Sequence, residues 1–391
     1  MGPLRAAFVD YVVEPDKPGA SGLSDISWNM ARELGRLGDD VHVLGPYTVD
    51  PEHFPGVTAH RFPIPWPGYR NILGDLRIVA SARNELGKLR DLDFIHAPEY
   101  ISTGIIAPTS SVPTVLTTPG NIYARIASGS NPFDPSMTAV LKACARVSAR
   151  RCLMIAAISR DMEYWWRRTG APAERVEVIP HGVDTAVFHR IERAAHDLGL
   201  AADRTHLLYV GRLSPEKNVS LLIRAVAELD KGNLAPKFQL HIVGSGPQEQ
   251  ELRTLVSAFG LETRTVFHGK LALAELPRWY SAADAVVLPS VSEGLPRVML
   301  EAMACGTPFI GTRISGVVDH IRDGENGFVV ASNDMDALAV RLNLVREQPL
   351  HVRQVGRNGQ DYVNRELTWS IVVRRFRDAV TSRLKRQERG S

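Results

Sequence analysis

The chain alternates short apolar runs with longer stretches of helical period, and does so twice. Ala6–Val13 is an apolar run without polar alternation, the pattern of a strand buried on both faces. A loop rich in Gly and Pro follows, through Gly19, Ser21 and Gly22. Ile26, Met30, Leu34 and Leu37 then recur at helical spacing. Val41–Leu44 predicts a second strand and residues 71–90 a helix. Asp93–His96, Thr114–Thr117 and Met154–Ile158 predict further strands, and helices are expected over 136–150 and 160–169. Strands that alternate with helices predict a parallel sheet covered by helices.

The turn-forming His181-Gly182-Val183-Asp184 leads into residues 184–205, which carry no clear strand and read as a connection. The alternation restarts at His206–Val210. It predicts helices at 217–229, 247–259 and 274–282, and strands at 239–243, 265–268 and 285–288. Phe309–Gly311 and Gly327–Val330 supply late strands. Trp369, Val372, Val373, Phe376 and Val380 place a final amphipathic helix over 368–386. No repeat of solenoid length is present. The boundaries this implies are a first domain over 1–184, a second over 185–367, and a C-terminal helix and tail over 368–391.

Composition narrows the class. A length of 391 residues suits two domains better than one. A net charge of +3 gives no global case for nucleic acid. The three cysteines, Cys144, Cys152 and Cys305, have no CxxC spacing, which points to a reducing compartment and away from a disulfide framework or a zinc site. The N-terminal apolar run is too short to span a bilayer and lacks a cleavage pattern. The expectation is a cytoplasmic protein, with any membrane contact peripheral at the inner face. Residues 60–90 hold six Lys/Arg against two Asp/Glu, near Trp66 and Tyr69. Residues 138–178 hold eight against four, with Tyr164, Trp165 and Trp166 together. Such patches would serve a peripheral contact with anionic lipid, but a solvated helix face over core aromatics is the simpler reading. The basic stretch 371–391 reads as a frayed tail.

The segment with most chemical content is 290–308, Ser-Val-Ser-Glu-Gly-Leu-Pro-Arg-Val-Met-Leu-Glu-Ala-Met-Ala-Cys-Gly-Thr-Pro. Gly294 permits a tight backbone and Pro296 suits a first helical position. Leu295, Val298, Met299 and Ala302 form an apolar helical face, and Gly306 and Pro308 end the helix. Glu293 then falls in the loop before the helix and Glu301 one to two turns inside it. Two carboxylates beside the free amides of a helix start suit a ligand that carries both phosphates and hydroxyls, as a nucleotide sugar does.

A second motif, Gly211-Arg212-Leu213-Ser214-Pro215-Glu216-Lys217-Asn218, lies between a strand and a helix. Gly211 lets the chain turn at the carboxyl end of the strand, where open α/β sheets bind ligands. An Arg fork and a Lys point charge both match a diphosphate. Val243-Gly244-Ser245-Gly246-Pro247 repeats the strand-to-turn pattern and makes Gly244 a wall of the same pocket, or simply a tight turn. Phe267-His268-Gly269-Lys270 follows the next strand.

These segments resemble the retaining glycosyltransferases of the GT4 family, the group 1 type. The resemblance implies the GT-B fold: two Rossmann-like α/β domains facing a central cleft, with the C-terminal helix crossing back to the first. It implies that Arg212 and Lys217 contact the donor diphosphate and stabilise the departing nucleotide. It gives Glu301 the nucleotide ribose and Glu293 the hydroxyls of the donor sugar. It makes the backbone of Gly294, Leu295 and Pro296 the cradle for sugar and phosphate, and brings the His268 segment near the nucleobase. No Asp-x-Asp motif stands in a suitable loop, so no metal and no other cofactor is expected.

On the acceptor side the match departs from the family. Gly22, with Ser21 beside it, takes the place of a glycine-rich loop that approaches the diphosphate. Pro119 stands where a strand of the family ends in His, and Pro offers no side-chain hydrogen bond. His96, at the end of the preceding strand, is a candidate substitute. The activity implied is transfer from a UDP-sugar, or from GDP-mannose as second choice, to a hydroxyl of a glycan, a lipid or a small molecule. A catalytically weak partner subunit of the same fold, and a nucleotide-sugar epimerase, are the alternatives.

Overall fold

Among the described residues of the computed structural model, thirteen strands build two sheets, and every neighbouring pair runs parallel. The structure describes residues 2–9, 22–45, 55–62, 80–97, 106–118, 123, 126, 134–230 and 238–390. Two compact units divide the chain, Met1–His181 with Trp369–Ser391, and Gly182–Thr368.

The first unit holds β1 (Arg5–Val9), β2 (Asp40–Gly45), β3 (Val57–Arg61), β4 (Phe94–Ala97), β5 (Thr114–Thr118), β6 (Met154–Ala157) and β7 (Val176–Val178) in the order β3-β2-β1-β4-β5-β6-β7. The order reverses between β1 and β4, the place where a doubly wound sheet opens a crevice at its carboxyl edge. The apolar positions of α1 (Gly22–Arg36) face this sheet, with Ile26, Met30 and Leu34 buried against Phe8, Val41 and Phe94. Asp134 caps α2 (Pro135–Arg151) by accepting from the amides of Ser136 and Met137 at 2.8 and 3.0 Å. Ser159 caps α3 (Arg160–Arg168) in the same way. Within α3, Trp166 is fully buried while Tyr164 is exposed with the Arg168 guanidinium over its ring.

The C-terminal helix, Trp369–Gly390, belongs to this unit. Trp369, Val372, Val373, Phe376, Val380 and Leu384 recur at helical spacing and join the core of Leu4, Phe8, Phe94, Val115 and Met154. Its polar anchor is Arg377, whose two nitrogens reach the buried Asp39 carboxylate at 2.8 Å each. The basic stretch expected to fray is therefore helical through Gly390.

The second unit holds β8 (Thr205–Val210), β9 (Phe238–Val243), β10 (Thr265–Gly269), β11 (Ala285–Leu288), β12 (Phe309–Thr312) and β13 (Phe328–Val330) in the order β10-β9-β8-β11-β12-β13. Here the order reverses between β8 and β11. The helices are α4 (Val219–Asp230), α5 (Glu249–Ala258), α6 (Leu276–Ala282), α7 (Arg297–Ala304), α8 (Met335–Glu347) and α9 (Pro349–Glu366). α7 ends in a Schellman motif: the Thr307 amide bonds Ala302 O, the Gly306 amide bonds Met303 O, and Gly306 takes φ 70°. Gly356 in α9 lets that helix lie on this turn, since a Cβ there would fall 2.6 Å from Gly306 O.

Several expectations need adjustment. Pro296 precedes the helix as its N-cap residue, with φ −72° and ψ 115°, and Arg297 is the first helical residue. Two edge strands, β3 and β7, and the helices α8 and α9 had no counterpart in the sequence reading. The end of the first predicted strand, Ser21, Trp66, Tyr69, the start of the helix predicted over 71–90, and Pro119 lie outside the described residues.

Candidate active site

The turns after β8 and β11 flank the point where the second sheet reverses order, and they carry the two strongest motifs of the chain. The turns after β8, β9 and β10 are joined by backbone bonds. Gly244 N donates to Gly269 O at 2.7 Å, Gly211 N to Val243 O and Leu213 N to Ser245 O at 3.0 Å, and Gln248 N to Leu213 O at 3.0 Å. This closeness explains the glycines of the Val243–Pro247 segment. A Cβ on Gly244, which has φ 132°, would lie 1.8 Å from Gly211 O, and one on Gly246 would lie 2.2 Å from Leu213 O. Tyr209, buried on β8, donates its hydroxyl to Arg212 O at 2.8 Å and so pins the turn from which the exposed Arg212 side chain projects. Glu216 accepts from Ser214 Oγ at 2.6 Å.

The β11 turn is tied to the β8 turn by Val291 N, which donates to Glu216 O at 2.9 Å. Across this junction Lys217 Nζ meets Glu293 Oε1. Ser290 Oγ donates to the same oxygen at 2.8 Å, and the Ser290 carbonyl in turn accepts from Thr312 Oγ1 at the end of β12. Gly294 O accepts from Gly316 N at 3.1 Å, in the one-turn helix Ser315–Val318. A Cβ on Gly316 would fall 2.3 Å from Gly294 O, so this contact demands glycine. Leu295 and Pro296 are buried beneath the turn.

Glu301 is the fifth residue of α7 and is buried. Its Oε2 accepts from the hydroxyl of the fully buried Tyr280 at 2.7 Å, and Arg297 stands 3.7 Å from its Oε1. Thr307 Oγ1 holds the Tyr280 carbonyl at 2.6 Å. Burial, and then the Glu301 charge, push the Tyr280 phenol well above its usual range, so it is a neutral donor. Among the described residues no side chain caps the start of α7, and the Met299 amide bonds Pro296 O at 3.1 Å.

His268 is not an isolated base-edge residue. Its Nε2 lies 3.0 Å from His241 Nδ1, His241 Nε2 lies 3.1 Å from His206 Nδ1, and His206 Nε2 lies 2.9 Å from Ala201 O. A carbonyl can only accept, so with neutral rings each Nε2 carries the proton, and Nδ1 of His268 ends the row as an acceptor. Trp279 packs against His268 at 4.2 Å between ring centroids. Burial lowers His241 to about 3 and moves His268 downward as well.

In the first unit, Gly22 opens α1. His96 is fully buried on β4, 4.3 Å from the ring of Phe8 and 6.0 Å from that of Phe376 between centroids. Among the described residues neither ring nitrogen has a hydrogen-bond partner, and burial pushes its pKa down to about 3. The sequence reading passed over Ser290, Tyr280, Thr312 and Gly316. Only Ser290, three residues before Glu293, had a local signal.

Two family models match this chain, "Glycosyltransferase Family 4" over residues 20–187 and "Glycosyl transferases group 1" over residues 191–362. A D-inositol 3-phosphate glycosyltransferase of Frankia alni is 30% identical over 366 residues, 86% of this chain and 88% of that protein. The chain belongs to glycosyltransferase family 4. It is a glycosyltransferase that uses a nucleotide sugar. A second D-inositol 3-phosphate glycosyltransferase, from Arthrobacter sp., is 35% identical, but this match spans 48% of this chain and 45% of that protein. Among solved structures, sucrose-phosphate synthase from Thermosynechococcus elongatus superposes with a TM-score of 0.82 at 24% identity, over 99% of each chain. Anabaena HepE in complex with UDP-glucose gives 0.76 at 22% identity, over 97% of this chain and all of that one. Both likenesses show the GT-B fold. Among the described residues, no helix of this glycosyltransferase is long and apolar enough to cross a membrane.

Proposed function

We propose that this glycosyltransferase moves a sugar from a UDP-sugar to an acceptor hydroxyl, with retention of anomeric configuration and without a metal. The observation that carries the reading is the meeting of Lys217 and Glu293 across the order reversal of the second sheet, with Glu301 on the following helix. That set supplies a cation for phosphate and two carboxylates for hydroxyls, which is what the two ends of a nucleotide sugar require. Arg212 and Lys217 neutralise the diphosphate as charge develops on the leaving oxygen, and the amides that start α7 add their dipoles. These fixed charges take the part that a divalent cation would otherwise play. Glu301 accepts from the ribose. Glu293 accepts from a sugar hydroxyl and orients the ring. Retention follows if the departing phosphate takes the acceptor proton on the face it leaves, a step that needs no protein base and tolerates Pro119.

UDP rests on the family resemblance, with GDP-mannose as second choice. The acceptor to test first is a phosphorylated cyclitol, by analogy with the relatives named D-inositol 3-phosphate glycosyltransferase. The three free thiols fit a reducing, cytoplasmic setting.

The test is nucleotide release from a panel of UDP-, GDP-, ADP- and dTDP-sugars, in chelator, with and without inositol phosphate. Release from a UDP-sugar that disappears in Arg212→Ala and Lys217→Ala supports the reading. The proton coupling at the anomeric centre of the product reports its configuration. Release that both variants leave intact, or binding of no donor at all, would overturn the site. Release only after a divalent cation is restored would overturn metal independence.

A further inference from the structure

The cation assigned to the donor's diphosphate and the carboxylate assigned to its sugar are already partners of each other. Lys217 Nζ and Ser290 Oγ both reach Oε1 of Glu293. The two charged side chains are 22% and 14% exposed, so water screens the pair only in part. The junction is also built: Val291 N holds Glu216 O beside Lys217, and Thr312 Oγ1 holds the carbonyl of Ser290. A diphosphate that draws Lys217 to itself does so against Glu293.

We propose that Glu293 is the resting counter-ion of Lys217 and competes with the diphosphate for it, so that the site favours the intact nucleotide sugar over the nucleoside diphosphate left after transfer. The inference rests on the donor-site reading above. An intact donor that draws Lys217 away brings a sugar hydroxyl, and that hydroxyl gives Glu293 a replacement hydrogen bond. A nucleoside diphosphate brings none. It leaves the carboxylate with Ser290 alone, beside an anion and largely out of water, which is unfavourable. Once transfer has removed the sugar, recapture of Lys217 by Glu293 speeds departure of the nucleotide. Ser290 holds the carboxylate in place throughout the exchange and acts as a positioning residue.

The experiment is a double-mutant cycle read by calorimetric titration with UDP and with GDP, on wild type, Glu293→Gln, Lys217→Ala and the double variant. Gln at 293 still accepts from Ser290 and carries no charge. Glu293→Gln should bind the nucleoside diphosphate about fivefold more tightly, equivalent to about 1 kcal/mol, and this gain should vanish when Lys217 is Ala. The same gain in both backgrounds would mean a simple field effect of the carboxylate and would overturn the proposal, as would no gain in either. Ser290→Ala supplies an independent check. It leaves Glu293 dependent on Lys217, so UDP should bind more weakly; equal or tighter binding would also overturn the proposal. Wild type that binds neither nucleotide would remove the donor-site reading and this inference with it. Binding by wild type without coupling in the cycle would remove only the inference.

Discussion

Tyr280→Phe isolates one hydrogen bond in the site. The ring remains, so no cavity forms, and only the hydroxyl 2.7 Å from Glu301 Oε2 is lost. Tyr280 is fully buried and Glu301 is 6% exposed, so water cannot replace that donor. Hydrogen bonds to a charged group contribute about 1.5–3 kcal/mol, and the second unit should lose about 2 kcal/mol. Arg297, 3.7 Å from the other oxygen, then draws the carboxylate toward itself. If Glu301 takes the ribose as proposed, a turned carboxylate meets it poorly, and nucleotide affinity should fall roughly fivefold, about 1 kcal/mol. Scanning calorimetry reports the first effect and titration with UDP the second. The alkaline side gives a third readout. The folded phenol is raised above its unfolded value near 10. Stability from this group is thus complete below about pH 10 and is lost as pH rises beyond it. The variant should lose less than wild type between pH 9.5 and 11. Unchanged melting together with unchanged nucleotide affinity would refute the claim that Tyr280 holds Glu301.

Three further outcomes are expected. Gly244→Ala should separate the turns after β8 and β9, because its methyl would fall 1.8 Å from Gly211 O; Gly260, with φ 65° and nothing within 4 Å of its Cβ position, is the control. Nucleotide titration should show more than tenfold loss for the first, while the control costs only the left-handed strain of about 1–2 kcal/mol in denaturation. Arg377→Ala removes both guanidinium bonds from Asp39, whose side chain is 1% exposed, and leaves it, among the described residues, the Leu4 amide at 2.8 Å. Loss of one partner of a buried pair costs about 3–5 kcal/mol; Arg377 is 19% exposed, so melting of the first unit should show a value near the lower end. His96 is held near 3 by burial, below its usual 6.5, so its contribution is complete above about pH 6.5 and lost as pH falls toward 3. His96→Leu removes two partnerless nitrogens and should be neutral or stabilising at pH 7. In a pH series of denaturation midpoints it should flatten the acid slope by about 1.4 kcal/mol per pH unit. Activity lost with stability intact would instead assign His96 to the acceptor.

The legible parts of the fold were those where one face of an element meets one core. β1, β2, β4 and β8 are buried along nearly their whole length and carry mostly apolar residues, and the C-terminal helix shows its stripe from Trp369 to Val380. β3 and β7 are edge strands of five and three residues with polar positions, so little in their composition separates them from loops. α9 carries Gly356 and Gly359, which weaken its helical signal. Both glycines are there for contact, since Cβ atoms would fall 2.6 Å from Gly306 O and 2.9 Å from Asn326 O. The motifs single out the charged residues of the candidate site but not the groups that hold them. Tyr280 lies twenty-one residues from Glu301, and its role depends on how α6 packs beside α7. His206, His241 and His268 come from three adjacent strands. Only the register of β8, β9 and β10 reveals that the Ala201 carbonyl orients all three rings.

The two carboxylates are held by the same arrangement used twice. Each gives one oxygen to a hydroxyl: Glu293 to Ser290, three residues earlier in the turn after β11, and Glu301 to Tyr280 of α6. Each hydroxyl-bearing residue is fixed in turn through its backbone carbonyl by a buried threonine, Thr312 for Ser290 and Thr307 for Tyr280. Those threonines stand at and just before the two ends of β12. One short strand therefore sets the spacing of both anchors, while the eight-residue spacing in sequence sets only the separation of the carboxylates along the chain. Motif spacing brings Glu293 and Glu301 to the same region. The hydroxyls that hold one oxygen of each carboxylate are anchored by Thr307, just before β12, and Thr312, at its end, in a segment that carries no catalytic signature. Substitutions in that segment should thus loosen the groups that hold Glu293 and Glu301 without touching either carboxylate.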